Sequence, residues 1–262
     1  MVDLEKVFYS MRDAVLKADH EIMKYYTTQM YDVVKKKDGS PVTNADLSSN
    51  NVIRKTLVQD EAISYLSEEE KDDISRLKND YVYIVDPLDG TEDFLACDDS
   101  FSVNIALIKN GVPLIAFIGL PTMDAYCYAI KNRGAFFVKD GKEERLHVSD
   151  KKENLTIVMS MTHTLKEEED IILKHKDKIT NIIKAGASVK AYLIASGKAD
   201  VSIRYTDKTK EWDTCACDLL VKESGGFFVD TRLKTFTYNR RDVRNHKGYC
   251  MFNREENLSL LK

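Results

Sequence analysis

The chain has 262 residues, of which 43% are hydrophobic and 31% charged, and a formal net charge of −4. That length allows a sizeable core and one or two domains, and the weakly acidic balance argues against a nonspecific binder of polymeric nucleic acid. No apolar run approaches the roughly 18 residues of a membrane span; the longest, residues 112–120, is strand-sized and contains Pro113 and Gly119.

The N-terminus carries Asp3 and Glu5 rather than the basic-then-apolar order of a secretory signal. The five cysteines (Cys97, Cys127, Cys215, Cys217 and Cys250) lack metal-type spacing. They read as reduced thiols of a cytoplasmic protein.

Residues 3–28 place Leu4, Val7, Phe8, Met11, Ala14, Val15, Ala18 and Ile22 at three-and-four spacing, which predicts a long amphipathic helix. Residues 35–39 are polar and end in a turn. Thr43 followed by Asp46 has the pattern of a capping box opening a second helix over 44–60, and a cap alone would account for both residues. Residues 62–66 predict a strand that delivers Ser67, Glu68, Glu69 and Glu70 at its end. Such an acidic run is ordinarily an exposed loop; Glu68 stands out because it directly follows the apolar strand.

Residues 81–85 predict a buried strand leading into Asp86-Pro87-Leu88-Asp89-Gly90-Thr91. Residues 102–108, 112–118, 125–130 and 134–138 then predict an antiparallel meander, with a hairpin signal at Asp140-Gly141. Residues 149–153 read as a linker. A strand over 156–159 ends at Ser160 and His163, and Thr164 to Glu167 has a capping-box pattern opening a helix to 176. Residues 181–184 are strand-like. Gly186-Ala187-Ser188-Val189-Lys190 leads into a helix that ends at Gly197, and residues 199–205 form a strand. Trp212-Asp213 precedes a helix to 224, stopped by Gly225-Gly226. Late strands fall at 227–229 and 248–252.

The chemistry concentrates at Asp86-Pro87-Leu88-Asp89-Gly90-Thr91. Asp, Pro and Gly are ordinary turn residues, but two carboxylates three residues apart can converge on one point with the Leu88 carbonyl between them. Gly90 permits a close turn and Thr91 can cap a helix. Such a stretch offers hard oxygen ligands to a cation and free N–H groups to an anion. Gathering Glu68, Asp86, Asp89 and Asp213 requires compensation, because two carboxylates about 4 Å apart repel by about 4 kcal/mol at an effective dielectric near 20. An oxygen-only set favours Mg²⁺ over zinc.

The hexapeptide, the acidic pair after a strand and Trp212-Asp213 entering a helix that ends in Gly-Gly occur in one order. In that order they resemble the inositol monophosphatase superfamily of magnesium-dependent, lithium-sensitive phosphatases, over about 6–252. The resemblance implies an α+β sugar-phosphatase fold, layered α/β/α/β/α, with two subdomains, 1–148 and 149–262. It also implies two or three Mg²⁺ held by Glu68, Asp86, Asp89, Asp213 and the Leu88 carbonyl, an Asp46–Thr91 proton relay, a phosphate held by Gly90 and Thr91, and Glu69 orienting a water or serving as a ligand.

Within the superfamily, Pro41 to Asp46, Ser67-Glu68-Glu69 and Trp212 to Ala216 resemble the 3′(2′),5′-bisphosphate nucleotidases. Inositol monophosphatases more often have Gly at the Ser67 position. Ser160, His163, Gly186, Ser188 and Lys190 fall in segments matching those that bind the nucleotide; read alone, His163 is a loop histidine and Lys190 a solvated lysine. The implied reaction is hydrolysis of the 3′-phosphate of adenosine 3′,5′-bisphosphate, with 3′-phosphoadenylyl sulfate a second substrate. The alternative is an inositol mono- or polyphosphate phosphatase. The expected partner is a small phosphorylated nucleotide, with no membrane association, and the expected state a monomer. Cys217 in place of the usual Pro, and Glu92-Asp93 in place of a Lys-Glu pair, depart from the nucleotidase pattern.

Overall fold

The computed structural model describes residues 2–36 and 39–261, so residues 37 and 38 of the polar turn expected over 35–39 lie outside the described residues. Helix α1 (Leu4–Thr28) begins at Asp3, whose side chain accepts from the Glu5 and Lys6 N–H groups, and it buries Val7, Met11, Ala14, Val15, Ala18 and Ile22. A short hairpin, β1 (Val33–Lys35) with β2 (Pro41–Thr43), leads into α2 (Asn44–Thr56). The capping box is present there: Asp46 Oδ2 accepts the Thr43 N–H at 2.8 Å. The helix stops at Thr56 rather than near 60 because Leu57 is already extended.

The central sheet has seven strands in chain order: β3 (Ile63–Ser67), β4 (Tyr81–Asp89), β5 (Ser102–Lys109), β6 (Val112–Leu120), β7 (Ala125–Ile130), β8 (Gly134–Lys139) and β9 (Lys142–Arg145). Only β3 and β4 run parallel; the others form the expected antiparallel meander. Both faces are apolar. Tyr83, Val85, Ile105, Leu107 and Phe117 pack under α1 and α2. Their neighbours Val82, Ile84, Ala106, Ile108 and Ile118 join the opposite core. This is the period-2 alternation of a sheet covered on two sides.

The second sheet orders β11 (Ile179–Lys184), β10 (Leu155–Met159), β12 (Val201–Arg204), β14 (Tyr249–Phe252) and β13 (Phe227–Val229). The parallel pairs are β10–β11 and β10–β12, and β14 runs antiparallel to both its neighbours. Between the sheets lie α5 (Val189–Ala195) and α6 (Glu211–Glu223), packing against strands of both. On the outer face, Ile171 and Ile172 of α4 (Lys166–Lys174) and Leu260 of a terminal 3-10 turn close a third core. The layering is therefore α/β/α/β/α.

Other expected boundaries shift as well. The hexapeptide is not a turn after the strand, since β4 continues to Asp89. Gly90 is the cap of a five-residue helix, α3 (Thr91–Leu95), so Thr91 is its first residue and its hydroxyl is free for another partner. Leu165, not Thr164, precedes α4, and Glu168 reaches back to the Leu165 N–H at 3.5 Å.

Candidate active site

Asp86 and Asp89 converge because β4 breaks step. In a regular strand, residues three apart point to opposite faces. Here Asp86 pairs with Asn104 and Asp89 with Ser102, so the ladder absorbs one extra residue between them. A bulge of this kind re-aims side chains, and Pro87, with no N–H to lose, tolerates it. Ser49 of α2 holds the Pro87 carbonyl at 2.7 Å.

Asp213 joins from the first turn of α6. It is the third helical residue, not the cap, and its Oδ2 accepts the Lys210 N–H at 2.5 Å. One carboxylate oxygen each from Asp86, Asp89 and Asp213 lie within 4.8 Å of one another. Both oxygens of Asp86 are buried without a hydrogen-bond partner. Asp89 Oδ2 accepts from Ser188 Oγ at 2.8 Å and Asn104 Nδ2 at 3.0 Å.

Burial first, and then the neighbouring carboxylates, raise Asp86 and Asp213 well above the ordinary carboxylate range. Burial raises Asp89 as well, opposed by Lys190, Ser188 and Asn104. Crowded, partly unpartnered and all oxygen, this donor set fits a hard divalent cation.

Glu68, expected at the same point, lies at the end of β3 with both oxygens engaged. Oε1 meets Lys36 Nζ at 2.8 Å and Oε2 accepts the Trp212 indole N–H at 3.0 Å. Lys36 also meets Glu69 Oε1 at 2.6 Å. Burial alone would lower Lys36, but the two glutamates more than offset it and hold the ammonium above its ordinary value.

A cavity of about 250 Å³ opens beside these groups. Glu68, Asp86, Leu88, Asp89 and Asp213 line it, together with Gly90, Thr91, Ser160, His163 and Lys190. Asp46, Gly186 and Ser188 stand behind the wall. Asp46 Oδ2 takes the Thr43 hydroxyl at 2.7 Å, while its Oδ1 accepts the Thr91 hydroxyl at 2.9 Å. Burial raises Asp46 despite these bonds. Ser188 supports Asp89 from behind. Gly186 lies against α3, where an added Cβ would collide with Asp93 Oδ2 and the Ser100 carbonyl. Gly90 sits at φ 89°, a region open to glycine.

Lys190 is buried on α5 and lowered by that burial, with Asp89 opposing and Arg204 adding to the shift. His163 Nε2 meets Glu92 Oε2 at 2.5 Å at the cavity mouth. Glu92, one of the residues that depart from the nucleotidase pattern, thus has a partner here.

Sequence reasoning passed over three groups. Lys36 fell in the polar turn, where a lysine carries no signal. Asp93, noted only as a departure from the nucleotidase pattern, is buried in the cavity lining, where burial pushes it up to about 6. Arg204 lines the cavity at the end of β12, bonded to the His163 carbonyl at 2.6 Å and to buried Glu168 at 2.7 Å. An arginine inside an apolar strand was a legible signal, because full burial of a charge normally demands a partner.

The model of the inositol monophosphatase family matches residues 3–258. The chain belongs to that family. It is 37% identical over 213 residues to the 3′(2′),5′-bisphosphate nucleotidase CysQ of Buchnera aphidicola, covering 80% of this chain and 78% of the relative. To the protein of the same name from Salmonella typhimurium it is 31% identical over 251 residues, covering 94% and 98%. The structure of CysQ from Bacteroides thetaiotaomicron, a bacterial member of the inositol monophosphatase family, superposes with a TM-score of 0.82 at 32% identity, covering 94% of this chain and 97% of that one. The extragenic suppressor protein suhB of Bartonella henselae follows with a TM-score of 0.81 at 27% identity, covering 97% and 96%. Among the described residues of this family member, no helix is long and apolar enough to cross a membrane.

Proposed function

We propose that this family member is a Mg²⁺-dependent 3′(2′),5′-bisphosphate nucleotidase that hydrolyses the 3′-phosphate of adenosine 3′,5′-bisphosphate. One observation carries the reading. Asp86, Asp89 and Asp213 line the cavity, and so do two buried cations, Lys190 and Arg204. Two protein cations beside a cation-binding carboxylate set suit a substrate with two phosphates better than a monophosphate with a neutral ring.

Asp86, Asp89, Asp213, Glu68 and the Leu88 carbonyl would hold the cation. Bound there, Mg²⁺ supplies Lewis-acid polarisation of the phosphoryl group and a lowered pKa for water. The chain's own residues do the rest. The Thr91 proton is committed to Asp46 Oδ1 at 2.9 Å, so the Thr91 oxygen is left as an acceptor facing the cavity. It can take a hydrogen from an attacking water as Asp46 takes the threonine proton. The raised Asp46 is the stronger base for that exchange. Gly90 and Thr91 N–H groups at the start of α3 cradle the transferred phosphate. Lys190 balances the second phosphate, Ser160 and His163 face the nucleoside, and Gly186 and Ser188 hold the wall in place. 3′-Phosphoadenylyl sulfate, which carries the same 3′-phosphate, is a second proposed substrate.

The test is phosphate release, with Mg²⁺, from adenosine 3′,5′-bisphosphate and inositol 1-phosphate side by side. Strong preference for the nucleotide is the expected result. Preference for inositol 1-phosphate would keep the cation site and overturn the roles of Ser160, His163 and Lys190.

A further inference from the structure

Behind Asp89 a chain of buried groups runs back into α6. Ser188 Oγ lies 2.8 Å from Asp89 Oδ2, and Cys217 Sγ lies 3.1 Å from Ser188 Oγ. An ionised carboxylate only accepts, so the serine proton is committed to Asp89 and the serine oxygen is left to accept in turn. A thiol supplies the matching donor. Ser188 is fixed independently, because its N–H donates to Ser102 Oγ at 3.1 Å.

Cys217 also sits four residues after Asp213 on the same face of α6, with Sγ 3.5 Å from the Asp213 carbonyl. One side chain therefore touches the supports of two acidic residues that arrive from different elements. It is buried, 4% exposed. This is also the position where the sequence departs from the Pro of the nucleotidase pattern.

We propose that Cys217 is a positioning residue for the cation site. By donating to Ser188 it holds the serine hydroxyl on Asp89 Oδ2, leaves the other Asp89 oxygen to the cation, and keeps Asp89 in register with Asp213. The inference rests on the divalent-cation reading given above. Groups that support a ligand from behind typically change metal affinity about 10- to 100-fold when removed.

The experiment is Mg²⁺ titrated calorimetrically into the full chain without substrate, for wild type, C217V, C217S, S188A and the double variant S188A/C217V. Valine fills the site with apolar atoms, at the cost of a slightly larger side chain, and removes the donor; serine keeps the donor. C217V is expected to bind Mg²⁺ about 10-fold more weakly, and C217S close to wild type. The double variant should be no weaker than S188A alone, since both act through one hydrogen bond.

Wild-type affinity in C217V overturns the proposal. So does a C217S as weak as C217V, which would mean packing alone, or losses that add in the double variant. Thermal unfolding checks that each variant is folded, and C217A carries the same comparison if C217V is not. A wild-type chain that takes up no Mg²⁺ overturns the cation site itself, a result distinct from any pattern among the variants.

Discussion

Thr91 and Asp46 are far apart in sequence and joined by one hydrogen bond of 2.9 Å. If that bond passes a proton, Thr91→Val should lower kcat by about 10²- to 10⁴-fold, the usual worth of general acid–base catalysis. Thr91→Ser should keep most of the rate. Phosphate-release kinetics on folded variants separates the two. A different residue-scale strain lies at Asp19, whose Oδ1 is buried without a partner and whose carboxylate packs onto Gly119. Burial, then Asp124, raises it well above its ordinary value. The folded state thus binds this proton more tightly than the unfolded state, and stability falls as pH climbs from the ordinary carboxylate range through the raised value. Asp19→Asn should unfold at a higher temperature near neutral pH and flatten that dependence; melting curves over a pH series check both.

At the scale of elements, the site depends on how α3 meets the segment before α5. Gly186 has no room for a side chain beside Asp93 and the Ser100 carbonyl. Gly186→Ala should therefore cost about 1–3 kcal/mol in denaturant unfolding, the usual penalty of overpacking, and weaken turnover by shifting Ser188 off Asp89. Long elements are legible in the chain alone: the α1 spacing, the run of strand-like segments from 102 and the turn signal Asp140-Gly141 predict the helix and the meander as found. The hairpin of β1 and β2 and the five-residue α3 are not, because each spans less than two periods of its pattern, too short for the pattern to repeat. The spacing puts Asp213 at a helix start, but only the fold sets its carboxylate inside the first turn, reaching back to the Lys210 N–H.

On the scale of the whole molecule, two sheets with α5 and α6 between them bring acidic groups from β3, β4 and α6 together. That gathering is costly while like charges face each other. Asp86 and Asp213 are both raised, so the cation-free protein should lose stability as pH rises through their raised values. Mg²⁺ should oppose this, by about 2.7 kcal/mol when present about 100-fold above its Kd. Asp86→Asn should melt higher than wild type in a chelator and respond little to Mg²⁺. Calorimetric melting with and without the ion tests both statements.

Which groups are candidates for the cation site is written in the chain. Asp86, Asp89 and Asp213 are marked by the hexapeptide and by Trp212-Asp213, and a carboxylate is an oxygen ligand wherever it stands. How those groups are held is a matter of tertiary packing. The bulge between Asp86 and Asp89 is a property of pairing with β5, and Lys36 reaches Glu68 and Glu69 across a gap in sequence that no local pattern spans. Arg204 and Cys217 acquire their partners only when β12 and α6 pack beside the cavity wall. Local spacing encodes residue type and periodicity, whereas a hydrogen bond between distant segments exists only once packing has removed the water between them.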